Sequence, residues 1–301
     1  MNEVKLIVPA STSNLGPGFD CLGLALDWPL QVSASREGAD LQISLSGFGP
    51  PVGEGPLREL CAAAVREWEK KSGQGAGGVR LMMAGDIPLA RGLGSSAAYR
   101  LGTLAAVNQL AGAALNEPEI LDLAAGLERH TDNVTPCMVG GLTVSGWMDG
   151  RVHYVHYPVP ERFRFVALIP EQEMETEKAR AVLPESVTRH DAVFNMQRAI
   201  WLVNAIANGR PESLRGVFQD RLHQPSRERL VPFLSSVIRA AEQAGAFGAF
   251  LSGSGSTIIA VADEFTAESA AQAMLEALIH SGNQGNTRIL LPDNRGLRVV
   301  R

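Results

Sequence analysis

Pro88-Leu-Ala-Arg-Gly-Leu-Gly-Ser-Ser-Ala-Ala98 is the stretch whose reading decides the fold of this chain. It follows a short apolar run, Val79 to Met83, that predicts a strand. It opens an alanine-rich segment, Ser96 to Leu110, that predicts a helix. Gly92 and Gly94 leave the backbone bare, so several N–H groups can converge on one anion. Ser95 and Ser96 are read as helix caps that add hydroxyl donors, and the helix N-terminus supplies about half a positive charge. Ala97 and Ala98 let anionic oxygens sit close, and Pro88, Arg91 and Leu93 complete the loop. The same residues also suit an ordinary capped helix after a turn. No Gly-Lys-Ser/Thr follows, so this is not a Walker A loop, and no G-x-G-x-x-G fingerprint is present.

Upstream, Val4–Val8 reads as a strand ended by Pro9, followed by a loop from Ala10 to Asp20. Residues 22–26, 31–35 and 41–46 read as strands, 47–55 as loop and 57–71 as a helix. Downstream, Glu119–Glu128 predicts a helix with Pro118 in its first turn. Residues 142–145 and 152–157 predict a hairpin. Beyond Tyr157–Arg162, with its two prolines, strands are expected at 165–169, 249–251, 257–261 and 287–291. Helices are expected at 176–183, 191–208, 211–222, 228–245 and 266–281. Elements of both kinds without strict alternation point to an α+β fold, divided into residues 1–158 and 159–301. A length of 301 residues accommodates two such domains.

Twenty-seven Lys and Arg against 32 Asp and Glu give a net charge of −5, which lacks the basic footprint of a nucleic-acid binder. The start of the chain has no apolar signal region, and no apolar run is long enough to span a membrane. Cys21, Cys61 and Cys137 match no metal or disulfide spacing and read as reduced thiols of a cytoplasmic protein.

Three further segments carry chemistry. In Asn14-Leu-Gly-Pro-Gly-Phe-Asp20 a stiff bend presents Asn14 and Asp20 together; the pair suits an ammonium group, or else forms a structural Asx turn. Glu128, His130, Asp132 and Asn133 crowd one helix end, where Glu128 can hold a magnesium ion through one carboxylate. A surface helix terminus with scattered polar groups is the alternative. Thr176 and Arg180 lie four apart on one helix face, placing a cation that can neutralise a phosphoryl group, or merely an exposed charged face.

Pro88–Ala98 resembles the phosphate loop of the GHMP kinases. Pro9-Ala-Ser-Thr-Ser-Asn-Leu-Gly-Pro-Gly-Phe-Asp-Cys-Leu-Gly-Leu-Ala-Leu26 resembles the first motif of the homoserine kinases within that superfamily, and Glu128–Leu142 is similar to a second. Phe250–Val261 resembles the third superfamily motif, with Gly253 and Gly255 in a loop beside the phosphate site. Asp220–Arg227 is similar to a further homoserine kinase segment. The resemblance implies a two-domain fold, ribosomal protein S5 domain 2-like and then ferredoxin-like. It implies ATP with its triphosphate on Gly92–Ala97, and Mg2+ on Ser96 and Glu128. It implies L-homoserine as the small-molecule substrate, held by Asn14, Asp20, His130, Asn133, Thr176, Arg180 and Arg227. In this family the last arginine grips an α-carboxylate; on its own, Arg227 also reads as a solvated cation at a helix start. Asn133 and Arg180 are the implied catalytic pair, with no dedicated base, and Asp132 is the one carboxylate placed to act as one. A homodimer is left open.

The chain departs from the family pattern at Tyr99, Arg100, Arg129, Thr131, Glu175 and Ser256. Tyr99 keeps a mevalonate kinase in view, although the lysine and P-S-G-x-D segment of those enzymes are missing. A nucleotide-binding regulator without turnover is the third reading, opposed by the intact Ser96 and Glu128.

Overall fold

The computed structural model describes residues 2–47 and 54–300. In chain order the elements are β1 (Glu3–Ser13), β2 (Leu22–Arg36), β3 (Gln42–Ser46), α1 (Glu54–Ser72), β4 (Val79–Ala84), α2 (Ser95–Leu110), α3 (Glu117–Glu128) and α4 (Val134–Val139). There follow β5 (Leu142–Met148), β6 (Arg151–Tyr157), β7 (Arg164–Pro170), α5 (Thr176–Ala181), α6 (Arg189–Ala207) and a 3₁₀ turn (Pro211–Leu214). The chain closes with α7 (Gln224–Arg227), α8 (Leu234–Gln243), β8 (Gly248–Leu251), β9 (Ile258–Ala262), α9 (Ala267–His280), β10 (Gly285–Leu290) and β11 (Arg298–Val299).

Two sheets organise these elements. The first runs β11-β1-β2-β4-β3, with β5 and then β6 added along the first half of β2. Among the described residues only β3 and β4 pair in parallel. The second is antiparallel in the order β10-β7-β9-β8. Counted within that half, the order is 4-1-3-2, the split β-α-β arrangement of a ferredoxin-like layer. The first core packs the nearly all-buried α2 against β1 and β2, with Trp68 of α1 and Tyr99 fully enclosed. The second packs α8 and α9 on β7, β8 and β9. Arg288 of β10 joins the sheets from outside. It lies over the Trp28 ring at 3.9 Å and meets Asp86, which accepts the Trp28 Nε1–H at 2.6 Å.

Several sequence expectations change for identifiable reasons. β1 continues through Pro9 to Ser13, because Pro9 faces Pro29 across the ladder, where neither residue has an N–H to give. A bulge at Pro9/Ala10 absorbs the gap, and the expected pair of strands at 22–26 and 31–35 becomes the single β2. Beyond the bulge β2 changes its second neighbour from β4 to β5. The helix expected over 211–222 stops after one 3₁₀ turn, since Gly216 turns left-handed at φ 74°. The helix expected from Glu228 begins only at Leu234, because Pro232 disfavours helical backbone before it. Of the loop expected over 47–55, residues 48–53 lie outside the described ones, while Glu54 and Gly55 belong to α1. The short elements α4, α7 and β11 had no periodic signal.

Cys21, Cys61 and Cys137 are unpaired, and burial raises their thiols to about 11, 11 and 12, which keeps them protonated near neutrality. No helix among the described residues is long and apolar enough to cross a membrane.

Arg129, exposed after α3, adopts φ 67°. A left-handed turn costs a side-chain-bearing residue about 1–2 kcal/mol, part of which glycine returns in unfolded-state freedom. Arg129→Gly is therefore expected to stabilise the chain by about 0.5–1 kcal/mol, read as a higher denaturant midpoint at unchanged slope.

Candidate active site

Three distant segments are joined where the two sheets meet. Ser11 N–H bonds Leu93 O (3.2 Å), Thr257 N–H bonds Arg91 O (3.1 Å) and Gly253 N–H bonds Ser13 O (3.2 Å). Ser252 Oγ donates to Gly92 O at 2.6 Å and lies 2.8 Å from Thr12 Oγ1. Gly92 and Gly94 turn left-handed at φ 77° and 65°. A Cβ on Gly92 would fall on Ser252 O; one on Gly94 would fall on Ser11 Oγ and lie 3.0 Å from Asn133 Oδ1. Glycine is thus required at both positions for conformation and for space.

This junction opens into a cavity of about 290 Å³. Its lining includes Asn14, Asp20, Pro88, Arg91, Gly92, Leu93, Gly94, Ser95, Ser96, Glu128, His130, Asn133, Thr176, Arg180 and Arg227. Ala97 and Ala98 are fully buried in α2 behind it and are not part of the lining.

The glycine loop differs from the sequence reading in two ways. Gly94 is the N-cap of α2, with no side-chain cap. Ser96 Oγ instead donates to Glu128 Oε2 (2.8 Å), while Ser95 Oγ is buried without a partner among the described residues. The guanidinium of Arg91 turns to backbone carbonyls, Pro170 O at 2.9 Å and also Glu171 O, so it clamps the loop to β7. What remains for an anion is the first turn of α2, whose N–H groups have no helical acceptor, and the Ser95 hydroxyl.

Glu128 ends α3 with its side chain nearly buried. Its Oε1 is paired with Arg100, which also donates to Leu127 O at 2.8 Å. His130 Nδ1 lies 2.9 Å from Asp132 Oδ1. Burial lowers the His130 pKa; Asp132 and Glu128 outweigh that and raise it above the usual histidine value. Asn133 is fixed at both ends, accepting from Ser11 Oγ (3.0 Å) and donating to Ser13 Oγ (2.9 Å).

Asn14 is similarly fixed, donating to Gly253 O (2.9 Å) and accepting from the Asp20 N–H (3.0 Å). Asp20 and Arg180 form a two-pronged ion pair at 2.7 and 3.0 Å, both side chains partly exposed. The Asp20 hydrogen bond is the main reason the Arg180 pKa lies above its ordinary value. Thr176 opens α5 on the same face. Arg227 is not solvated: it is 2% exposed and held by Ala179 O, Gly253 O and His223.

Sequence reasoning missed Ser11 and Ser13, although alternation along a strand places them on one face. It also missed Asp220 and His223. Asp220 accepts from Asn195 Nδ2 (2.6 Å) and from three backbone N–H groups, of Leu222, His223 and Gln224, so it shapes the turn that delivers Arg227.

The family model for the GHMP kinases N terminal domain matches residues 59–141, and that for GHMP kinases C terminal matches residues 201–280. A relative from Caldanaerobacter subterraneus subsp. tengcongensis, named homoserine kinase, is 40% identical over 99% of this chain and 96% of its own. Another of that name from Caldicellulosiruptor bescii is 41% identical over 87% of this chain and 85% of its own. The crystal structure of homoserine kinase from Cytophaga hutchinsonii superposes with a TM-score of 0.87 at 26% identity, covering 100% of this chain and 98% of that one. The L. major mevalonate kinase matches at 0.74 and 15% identity over 96% of each chain, a likeness of fold alone. The chain belongs to the homoserine kinase family of the GHMP kinases.

Removing Arg100 would leave the nearly buried Glu128 short of a partner. Arg100→Met is expected to destabilise by about 2 kcal/mol, with part of the loss recovered when Glu128→Gln is added, as measured by a denaturant double-mutant cycle.

Proposed function

We propose that this chain transfers the γ-phosphoryl group of ATP to the side-chain hydroxyl of L-homoserine, giving O-phospho-L-homoserine. The observation that carries the reading is the buried Arg227. It is a cation with no carboxylate in ion-pair or hydrogen-bond contact among the described residues, on the same cavity as the glycine loop. A substrate with a carboxylate at one end and a phosphorylatable hydroxyl at the other fits that pair of features. The relatives named homoserine kinase support the same substrate.

In this reading the triphosphate lies on the N–H groups of Gly92–Ala97 and the Ser95 hydroxyl, a buried oxygen with no other partner among the described residues. Pro88, Leu93 and Ala98 shape the loop, and Arg91 fixes it. Ser96 and Glu128 offer neighbouring oxygens to magnesium, which takes the rest of its shell from phosphate and water. When bound, the metal neutralises the phosphate charge; Arg100 keeps Glu128 in place to receive it.

Arg227, whose Nε and Nη1 hydrogens are held by Ala179 O, Gly253 O and His223, receives the substrate α-carboxylate through Nη2, and Asp20 receives the ammonium. The Asp20–Arg180 pair is partly exposed, and such pairs contribute only about 0–1 kcal/mol, so Asp20 exchanges it readily for the substrate ammonium. Arg180 is then released toward the phosphoryl group, with Thr176 beside it. Asn14 holds the Asp20 turn. His130 and Asn133 line the hydroxyl end, and Asn133 is rigid because Ser11 and Ser13 hold both its ends. Catalysis then comes from positioning and charge neutralisation without a dedicated base. A cytoplasmic setting and the division at residues 158/159 belong to the same proposal.

The test is ADP release with ATP and magnesium, offering L-homoserine, mevalonate and galactose separately. Turnover on L-homoserine alone is expected. Turnover on either other alcohol would overturn the substrate, and ATP binding with no turnover on any would favour the regulator.

A further inference from the structure

We propose that His223 is a positioning residue, a neutral acceptor that holds the Arg227 guanidinium without cancelling its charge. The proposal rests on the reading of Arg227 as the carboxylate site.

A buried arginine is usually paired with an acid. Arg227 is held by neutral acceptors instead: Ala179 O (3.2 Å), Gly253 O (2.9 Å) and His223 Nδ1 (3.1 Å). Burial weakens its hold on the proton, lowering the pKa to about 10, so it still carries its charge near neutrality. An aspartate in place of His223 would hold the same fork but compete with the incoming carboxylate. A lysine or a protonated histidine would repel it.

The geometry also assigns the histidine tautomer. Nε2 lies 2.8 Å from Gly16 O, and a carbonyl can only accept, so the proton is on Nε2. Asp220 Oδ2, at 3.6 Å from Nε2, favours the same assignment. Nδ1 is then a bare lone pair facing Arg227 Nη1. Full burial lowers the His223 pKa to about 4, which keeps the ring neutral in the working range. Phe19 stacks on the ring at 5.2 Å and also lies beneath Arg227 at 5.4 Å. One imidazole thus ties the loop before Asp20, through Gly16, to the cation beyond it.

The two ring nitrogens can be tested separately. Asparagine mimics Nδ1 and keeps an acceptor for Arg227, whereas glutamine mimics Nε2 and keeps the bond to Gly16. His223→Gln is expected to raise the KM for L-homoserine roughly tenfold, the worth of one hydrogen bond to a charged group, with kcat and the KM for ATP little changed. His223→Asn should stay near the parent KM, although both variants lose stability, which thermal melting reads independently. Equal KM values for the two variants, or a matching rise in the KM for ATP, would overturn the proposal. Arg227→Met is the control. If it leaves the KM for L-homoserine unchanged, the carboxylate reading fails, and the role of His223 with it. If Arg227→Met raises that KM while His223→Gln does not, only the role of His223 fails.

Discussion

The close approach of a two-glycine loop to two other segments is the constraint on which the rest of the structure depends. Gly92 and Gly94 stand against Ser252 O and Ser11 Oγ with no room for a Cβ. Their left-handed backbone also suits glycine best. Because the loop fits there, the end of β1 and the 252–257 loop can zip onto it from both sides. One of those partners belongs to each sheet, so the junction that presents the α2 N-terminus also joins the two halves of the fold. Arg91 serves the same end by reaching back to the Pro170 carbonyl at the end of β7.

Around that junction the charges are handled in three different ways. Glu128 is buried and paired with Arg100, so its position is fixed. Asp20 and Arg180 are partly exposed and paired with each other, an arrangement that costs little to exchange. Arg227 is buried and hydrogen-bonded to neutral acceptors, with Asp20, Asp132 and Asp220 acting on its charge only from beyond ion-pair distance. These three regimes suit a metal ligand, an exchangeable latch and a standing anion site.

Much of the fold was legible because its long elements have clear periodicity. α2, α3, α9 and the β5–β6 hairpin fall within a few residues of expectation. The misses have local causes. Pro9 reads as a strand terminator, yet facing Pro29 it marks only a bulge. The 211–222 segment is apolar enough for a helix, but Gly216 breaks it. The candidate site was legible as a set of motifs, and most of the named residues do line one cavity. What the motifs could not tell is which side chains face a ligand and which hold others. Asn14, Arg91 and Asn133 have their polar atoms taken up by other parts of the chain. Arg227 and His223 depend on burial and tautomer, which leave no trace in residue type.

The central claim, that the glycine loop is held for phosphate by its contact with the end of β1, is tested most directly by the ATP dissociation constant of Gly94→Ala, measured by calorimetry. Left-handed strain and the lost space predict affinity weaker by about tenfold or more, with substantial recovery when Ser11→Gly removes the opposing hydroxyl. An affinity within twofold of the parent would contradict the account.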